Sequence, residues 1–250
     1  MAIRKRHLAR VLGLTLLCAA TWGTALPGQP LPEKQVLFRT LAVGNDAAFS
    51  GLFYDYKGKP AALNAGSNNL STLLPSPANG RLSLYRQTPP PAPGDAPGKI
   101  PVAEALLGKG GPYLVLLTST PDTLPPLNRR ITLLAVDESA ETHPLLAIRL
   151  FNFSKRRIAV QLNSDAIELA TADSHIFTPP PDTPMIPFKV ATQESGAWEL
   201  RLSSQTPVIA PTRSIVVVTD VEPTPERPNP VDIMATTAFD DRPPPAKAKP

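Results

Sequence analysis

Cysteine is nearly missing from this chain of 250 residues: there is one, Cys18. Histidine is almost as scarce, with three residues, and there are two tryptophans. Charged residues make up 18% and aromatics 6%. Each shortage excludes something. So low a charge content does not fit a highly charged disordered chain. The longest apolar run is shorter than the ~20 residues a membrane-crossing helix needs. The 32 prolines count against a helical bundle, because an interior proline breaks a helix.

The first 25 residues have the layout of a secretory signal peptide. Arg4, Lys5, Arg6, His7 and Arg10 form a basic start, Val11 to Ala20 is apolar, and Gly23-Thr24-Ala25 offers small residues for cleavage after Ala25. Two other readings fit less well. An uncleaved anchor would need a longer apolar run. A lipoprotein would use Cys18, but Leu17 stands where a small residue is expected. Adjacent arginines of the twin-arginine type are absent from this start. Removing the four basic residues of 1–25 from the 25 in the chain leaves 21 against 21 acids, a formally neutral protein. The net charge of +4 therefore describes the leader, and no nucleic-acid footprint survives it. Cys18 leaves with it too, and with Cys18 any disulfide or thiolate metal site. The expected location is a bacterial periplasm or the extracellular space, with no transmembrane segment after signal removal.

What the chain does have is short apolar segments punctuated by Pro, Gly and Asn. Arg81–Tyr85, Ile158–Leu162 and Trp198–Leu202 alternate with a period of two, as strands with one buried face do. Tyr113–Leu117 and Ile215–Val218 are continuously apolar and suit central strands covered on both faces. Val102–Leu107 and Asn68–Leu74 are the only candidates for a helical turn. A faint repeat runs through the chain. Arg39–Val43 resembles Arg149–Phe153, and Leu52–Tyr56 parallels Ile158–Leu162 at an offset of 106, with Leu63 and Leu169 following at the same offset. The order of parts predicts an all-β fold of two tandem sandwich units, 35–137 and 145–222. The first would hold an exposed Pro-rich loop at 88–101. One larger continuous sandwich is the alternative. Residues 223–250 hold eight prolines and are expected to form a disordered or polyproline-like tail.

The search for chemistry finds no site. Asp137, Glu138, Glu141 and His143 lie close together, but their spacing matches no metal-binding loop, and a solvated acidic linker is expected. Asp173, Ser174 and His175 are neighbours in sequence, which is not how a triad is built, and no Gly-x-Ser-x-Gly elbow occurs. Gly108-Lys109-Gly110-Gly111 lacks phosphate-loop spacing. Trp198 is expected to anchor the second core, with a sugar-stacking role as the alternative. Tyr54, Tyr56, Tyr85 and Tyr113 lie in the first unit, where packing explains them as well as ligand binding does. No cofactor and no metal are implied.

Ile148-Arg149-Leu150-Phe151-Asn152-Phe153-Ser154, followed by Ile158–Leu162, resembles the strand-hairpin opening of tandem β-sandwich domains in uncharacterised exported bacterial proteins, built like immunoglobulin or transthyretin sandwiches. The resemblance covers 35–222. It implies a fold and an envelope location, and it transfers no catalytic residue. The expected role is a non-enzymatic interaction or scaffold protein with an envelope protein partner; the alternative is a carbohydrate- or cell-wall-binding module. The expected contacts are the 88–101 loop, the basic turn Lys155, Arg156 and Arg157, and the apolar island in the tail with Ile233, Met234 and Phe239.

Overall fold

The structure, a computed structural model, describes residues 35–44, 47–67, 69–119, 125, 128–228 and 230–240. The expected leader, residues 1–25, lies outside them, as do 241–250 of the expected tail. Among the described residues the regular elements are sixteen strands and the 3-10 turn Ala47–Phe49. The first eight strands are β1 (Leu37–Ala42), β2 (Leu52–Tyr56), β3 (Lys59–Leu63), β4 (Leu74–Pro75), β5 (Arg81–Thr88), β6 (Gly98–Leu106), β7 (Tyr113–Ser119) and β8 (Ile131–Asp137). The second eight are β9 (Ile148–Asn152), β10 (Ile158–Leu162), β11 (Asp165–Leu169), β12 (Ser174–Phe177), β13 (Met185–Glu194), β14 (Ala197–Pro207), β15 (Arg213–Asp220) and β16 (Ile233–Asp240).

They form four four-stranded sheets: sheet I in the order β4-β1-β7-β8, sheet II β3-β2-β5-β6, sheet III β12-β9-β15-β16 and sheet IV β11-β10-β13-β14. Adding eight to every strand number turns sheet I into sheet III and sheet II into sheet IV. The first strand of each set runs parallel to the seventh. An immunoglobulin sandwich places A, B, E and D in one sheet. Here the first strand lies between the fourth and the seventh, which is the transthyretin-like arrangement of the two expected.

The repeat holds to the level of single residues. Leu52 faces Leu63 as Ile158 faces Leu169, at the offset of 106 legible in the sequence. Both hairpins close through two residues, Lys57-Gly58 and Asn163-Ser164, and Lys57, Gly58 and Asn163 all have positive φ. Both β5–β6 and β13–β14 carry a bulge at the same place, after Leu84 and after Val190.

Three cores hold the sheets together. Phe38, Val115 and Leu117 of sheet I pack with Leu52, Tyr54, Leu82 and Leu84 of sheet II. Ile148, Leu150, Val216 and Val218 of sheet III pack with Ile158, Val160, Phe188 and Val190 of sheet IV. The third core joins sheets I and III through Leu41, Leu114, Leu116, Phe151, Ile215 and Val217. The layers therefore stack II–I–III–IV. The two continuous apolar runs are explained by this order, because β7 and β15 each feed one core with even-numbered residues and another with odd-numbered ones.

The structure corrects three expectations. Val102–Leu106 is not helical but belongs to β6, paired with β5. The loop at 88–101 shrinks to 89–97, because Gly98 to Pro101 pair with Thr88 to Tyr85. The tail at 223–250 is not wholly unstructured: Ile233–Asp240 pairs along the whole length of β15. Its alternation explains why, since Ile233 enters the second core and Ala238 the third.

Candidate functional site

The acidic linker is solvated only in part: Glu141 is exposed, but its other acid and its histidine turn inward. His143 and Glu138 are 0% and 2% exposed. His143 Nδ1 lies 2.5 Å from Glu138 Oε2, and its Nε2 lies 3.1 Å from the Ala147 carbonyl oxygen. Glu138 Oε1 lies 3.0 Å from Arg149 Nη1. Arg213 donates to the Glu138 carbonyl at 2.8 Å, and Arg149 donates to the carbonyls of Asp137 and Thr142. The cluster locks the 138–147 connection against β9 and β15. Its sequence signal was Arg149, the polar residue in an otherwise apolar strand opening.

This lock has a reciprocal. Register makes Arg39 the repeat-mate of Arg149, since they face Leu114 and Ile215 on β7 and β15. Glu138 and Asp240 are likewise mates, opposite Pro112 and Arg213. Arg149 of the second set meets Glu138 of the first, and Arg39 of the first meets Asp240 of the second, at 3.4 Å. The third core also draws on matching positions of both sets: Leu41 and Phe151, Leu114 and Ile215, Leu116 and Val217, and Val136 and Ala238 are mates.

The basic turn is also spoken for. Arg156 bridges Glu194 and Asp220, each at 2.7 Å, and donates to the carbonyls of Val231 and Asp232. It clamps the segment leading into β16 rather than standing free for a partner. Burial alone would raise the Asp220 carboxyl. The Lys155 amide, the Ser154 hydroxyl and Arg156 outweigh that and hold it below the usual carboxylate value. Lys155 is exposed, and Arg157 pairs with Glu168 at 2.7 Å on the surface. Of the apolar island, Ile233 is core, while Met234 and Phe239 stay partly exposed on β16. His175 rests edge-on against Phe177, 4.8 Å between ring centres. No group of three or more His, Cys, Asp or Glu among the described residues is placed to hold a metal ion.

The outer faces of sheets II and IV differ where the repeat makes them comparable. On sheet II, Phe53 stacks on Tyr85 with ring centres 6.2 Å apart, and Lys99 lies 4.6 Å from the Tyr85 ring centre. Asp55 accepts from the Tyr85 hydroxyl at 2.7 Å and from Lys99. Lys99 and then Tyr85 hold the Asp55 carboxyl below its ordinary value. On sheet IV the mates of Phe53 and Tyr85 are Ala159 and Ala191, which face each other. Ala191 in turn faces Leu200, and Gln193 faces Trp198. Leu200 is 61% exposed and Trp198 39%. Trp198 thus points outward instead of anchoring the second core, and Leu202 packs there in its place. The bulge after Val190 decides this, because one extra residue shifts which side chains face inward. The tyrosines form no row: Tyr54 and Tyr85 are buried.

The candidate site is therefore the shallow apolar floor of Ala159 and Ala191 with Leu200 and Trp198 at its margin, beside Gln193 and the Arg157–Glu168 pair. It can contribute apolar contact and hydrogen bonds. No protein-family model and no curated protein matches the chain.

Proposed function

We propose that the chain is an exported, non-enzymatic interaction or scaffold protein of the bacterial envelope, and that it takes its partner on the outer face of sheet IV. The observation that carries this reading is the exposure of Leu200 and Trp198 over two alanines, where the first repeat covers the same place with Phe53, Tyr85 and Lys99. Exposed apolar groups clustered on a flat face mark contact surfaces. The two buried charge clusters and the third core support it by making the sandwiches a rigid mount. No helix among the described residues is long and apolar enough to cross a membrane. The test places a photo-crosslinking residue at Leu200 and, as a control, at Leu106 on sheet II. A discrete envelope component captured from Leu200 alone is the expected result, and equal or absent capture at both positions refutes the reading.

A second reading, a carbohydrate- or cell-wall-binding module, is favoured by Trp198 itself. An exposed indole beside Gln193 and the Arg157–Glu168 pair combines a stacking plane with hydrogen-bonding groups. Trp198 is the sole tryptophan after residue 25, so its fluorescence reports directly. Acrylamide should quench it readily. Protection by soluble wall polysaccharide would move the assignment to this reading, and quenching unchanged by polysaccharide would dismiss it.

A further inference from the structure

β7 and β15 begin at the same end of the molecule. Arg39 faces the second residue of β7 and Asp240 the first of β15, and these two pair across the junction. Leu41, Leu116, Phe151 and Val217, farther along the strands, still share the third core. Sheets running oppositely would part beyond their starts, so these two run the same way. The hairpin turn 57–58 and the loop 107–112 of the first sandwich lie at that end. So do the turn 163–164 and the loops 178–184 and 208–212 of the second, and the connection 138–147.

This end is divided by charge. Lys57, Lys59 and Lys109 are exposed on the first half, and the Glu104 carboxylate near them is already held by Arg81 at 2.7 Å. Glu141, Asp165 and Asp182 are exposed on the second half. None of these three lysines and three acids forms an ion pair among the described residues. The repeat sharpens the contrast, because Lys59 and Asp165 are mates, opposite Tyr56 and Leu162. Apolar groups accompany the acids: Leu145, Leu146 and Ile209 are exposed. Their loops are joined, with the Leu146 amide donating to the Thr212 carbonyl at 3.0 Å, and neither 144–147 nor 207–212 contains a charged residue. Leu146 has a φ of 67°, in the region that favours glycine. A leucine kept there at a cost in strain, and partly in water, marks a contact.

We propose that this end meets the same end of a second copy of the chain about a two-fold axis lying across the strands. That operation sets the basic half of each copy on the acidic half of the other, twice, and covers Leu145, Leu146 and Ile209 with the first half of the second copy. Net charge plays no part in the choice of partner. What selects a second copy is that the complement of each patch stands beside it on the same end, on the other half, so that one operation satisfies both. A foreign protein would need the same two patches in the same arrangement. The contact is independent of the sheet IV face, since Trp198 opens β14 at the opposite end of its sandwich.

Sedimentation velocity of residues 26–250, which hold all sixteen strands, tests this from about 1 μM to about 1 mM. The expected result is a reversible monomer–dimer equilibrium at about 0.05 M salt that weakens at least about tenfold at about 0.5 M. Lys59→Glu with Lys109→Glu is one charge variant, and Glu141→Lys with Asp165→Lys is the other. Each should weaken the dimer at least about tenfold while leaving the thermal midpoint of the dilute protein unchanged. Mixed one to one, the two variants should pair with each other, because each then offers the charge the other lacks. Leu146→Gly should weaken the dimer without lowering the midpoint. A wild-type chain that stays monomeric at the highest concentration overturns the proposal. So does a dimer that salt and both charge variants leave intact, and so does a mixture of the variants that stays monomeric. Capture at Leu200 tests the sheet IV reading separately, whichever of these results is found.

Discussion

A carboxylate withdrawn from water must find cations and donors within the protein, and Glu138 has His143 on one oxygen and Arg149 on the other. Removing one member of such a cluster strands the others, which costs far more than the pair contributes as a whole. Glu138→Ala is expected to destabilise the protein by about 3–5 kcal/mol in urea unfolding at pH 7. Arg157→Ala, which breaks only the exposed pair with Glu168, should cost under about 1 kcal/mol. Equal effects would mean that burial at the junction is not what gives the cluster its weight. Asp220 contributes to the acid response. Its folded carboxyl titrates below its unfolded value, so its contribution is complete above the unfolded pKa of about 3.9 and is lost as pH falls through the folded value. Asp220→Asn should therefore lower stability at pH 7 by about 1–3 kcal/mol. The gap between variant and wild type should narrow as the pH is taken below about 4. Denaturant midpoints at pH 7, 5 and 3 check this, and a gap that persists undiminished at pH 3 contradicts it.

At the scale of elements, β16 decides how the C-terminal region is understood. A chain stopped at Glu222 would lose Ile233 from the second core and Ala238 from the third, and would leave β15 as a sheet edge. The truncated protein should unfold at markedly lower urea, with β15 amides losing their exchange protection. Unchanged protection of Val216 to Val218 would show that the strand is dispensable. Composition hid this element, since eight prolines in 223–250 outweighed the eight-residue strand among them. The repeat was the better guide. A second set closing at Val218 lacks the counterpart of β8, and β16 supplies it. Period-two patterning placed β10 and β14, and the apolar runs placed β7 and β15 between two cores. It misplaced Trp198, because the bulge after Val190 breaks the alternation by one residue and nothing local announces it. The floor of Ala159 and Ala191 was illegible for another reason: it exists only through pairing across three strands.

For the whole molecule, the third core makes the two sandwiches one body, so heat should unfold them in a single transition whose calorimetric and van't Hoff enthalpies agree. Leu116, fully buried between sheets I and III, is the residue to test. Leu116→Ala should cost about 2–5 kcal/mol. Two resolved transitions already in the wild type would show that the sandwiches unfold independently. The mating of Arg39 with Asp240 and of Arg149 with Glu138 has a consequence for descent. A face in which each residue and its mate exchange partners is what two identical chains make when they meet about a two-fold axis. Such a pair must carry every substitution twice. Once both halves are encoded in one gene the constraint lapses: the inner faces stay matched because they still hold each other, and the outer faces are free to diverge. The two outer faces differ in that way: Phe53, Tyr85 and Lys99 cover one, and Ala159 and Ala191 leave the matching place on the other uncovered.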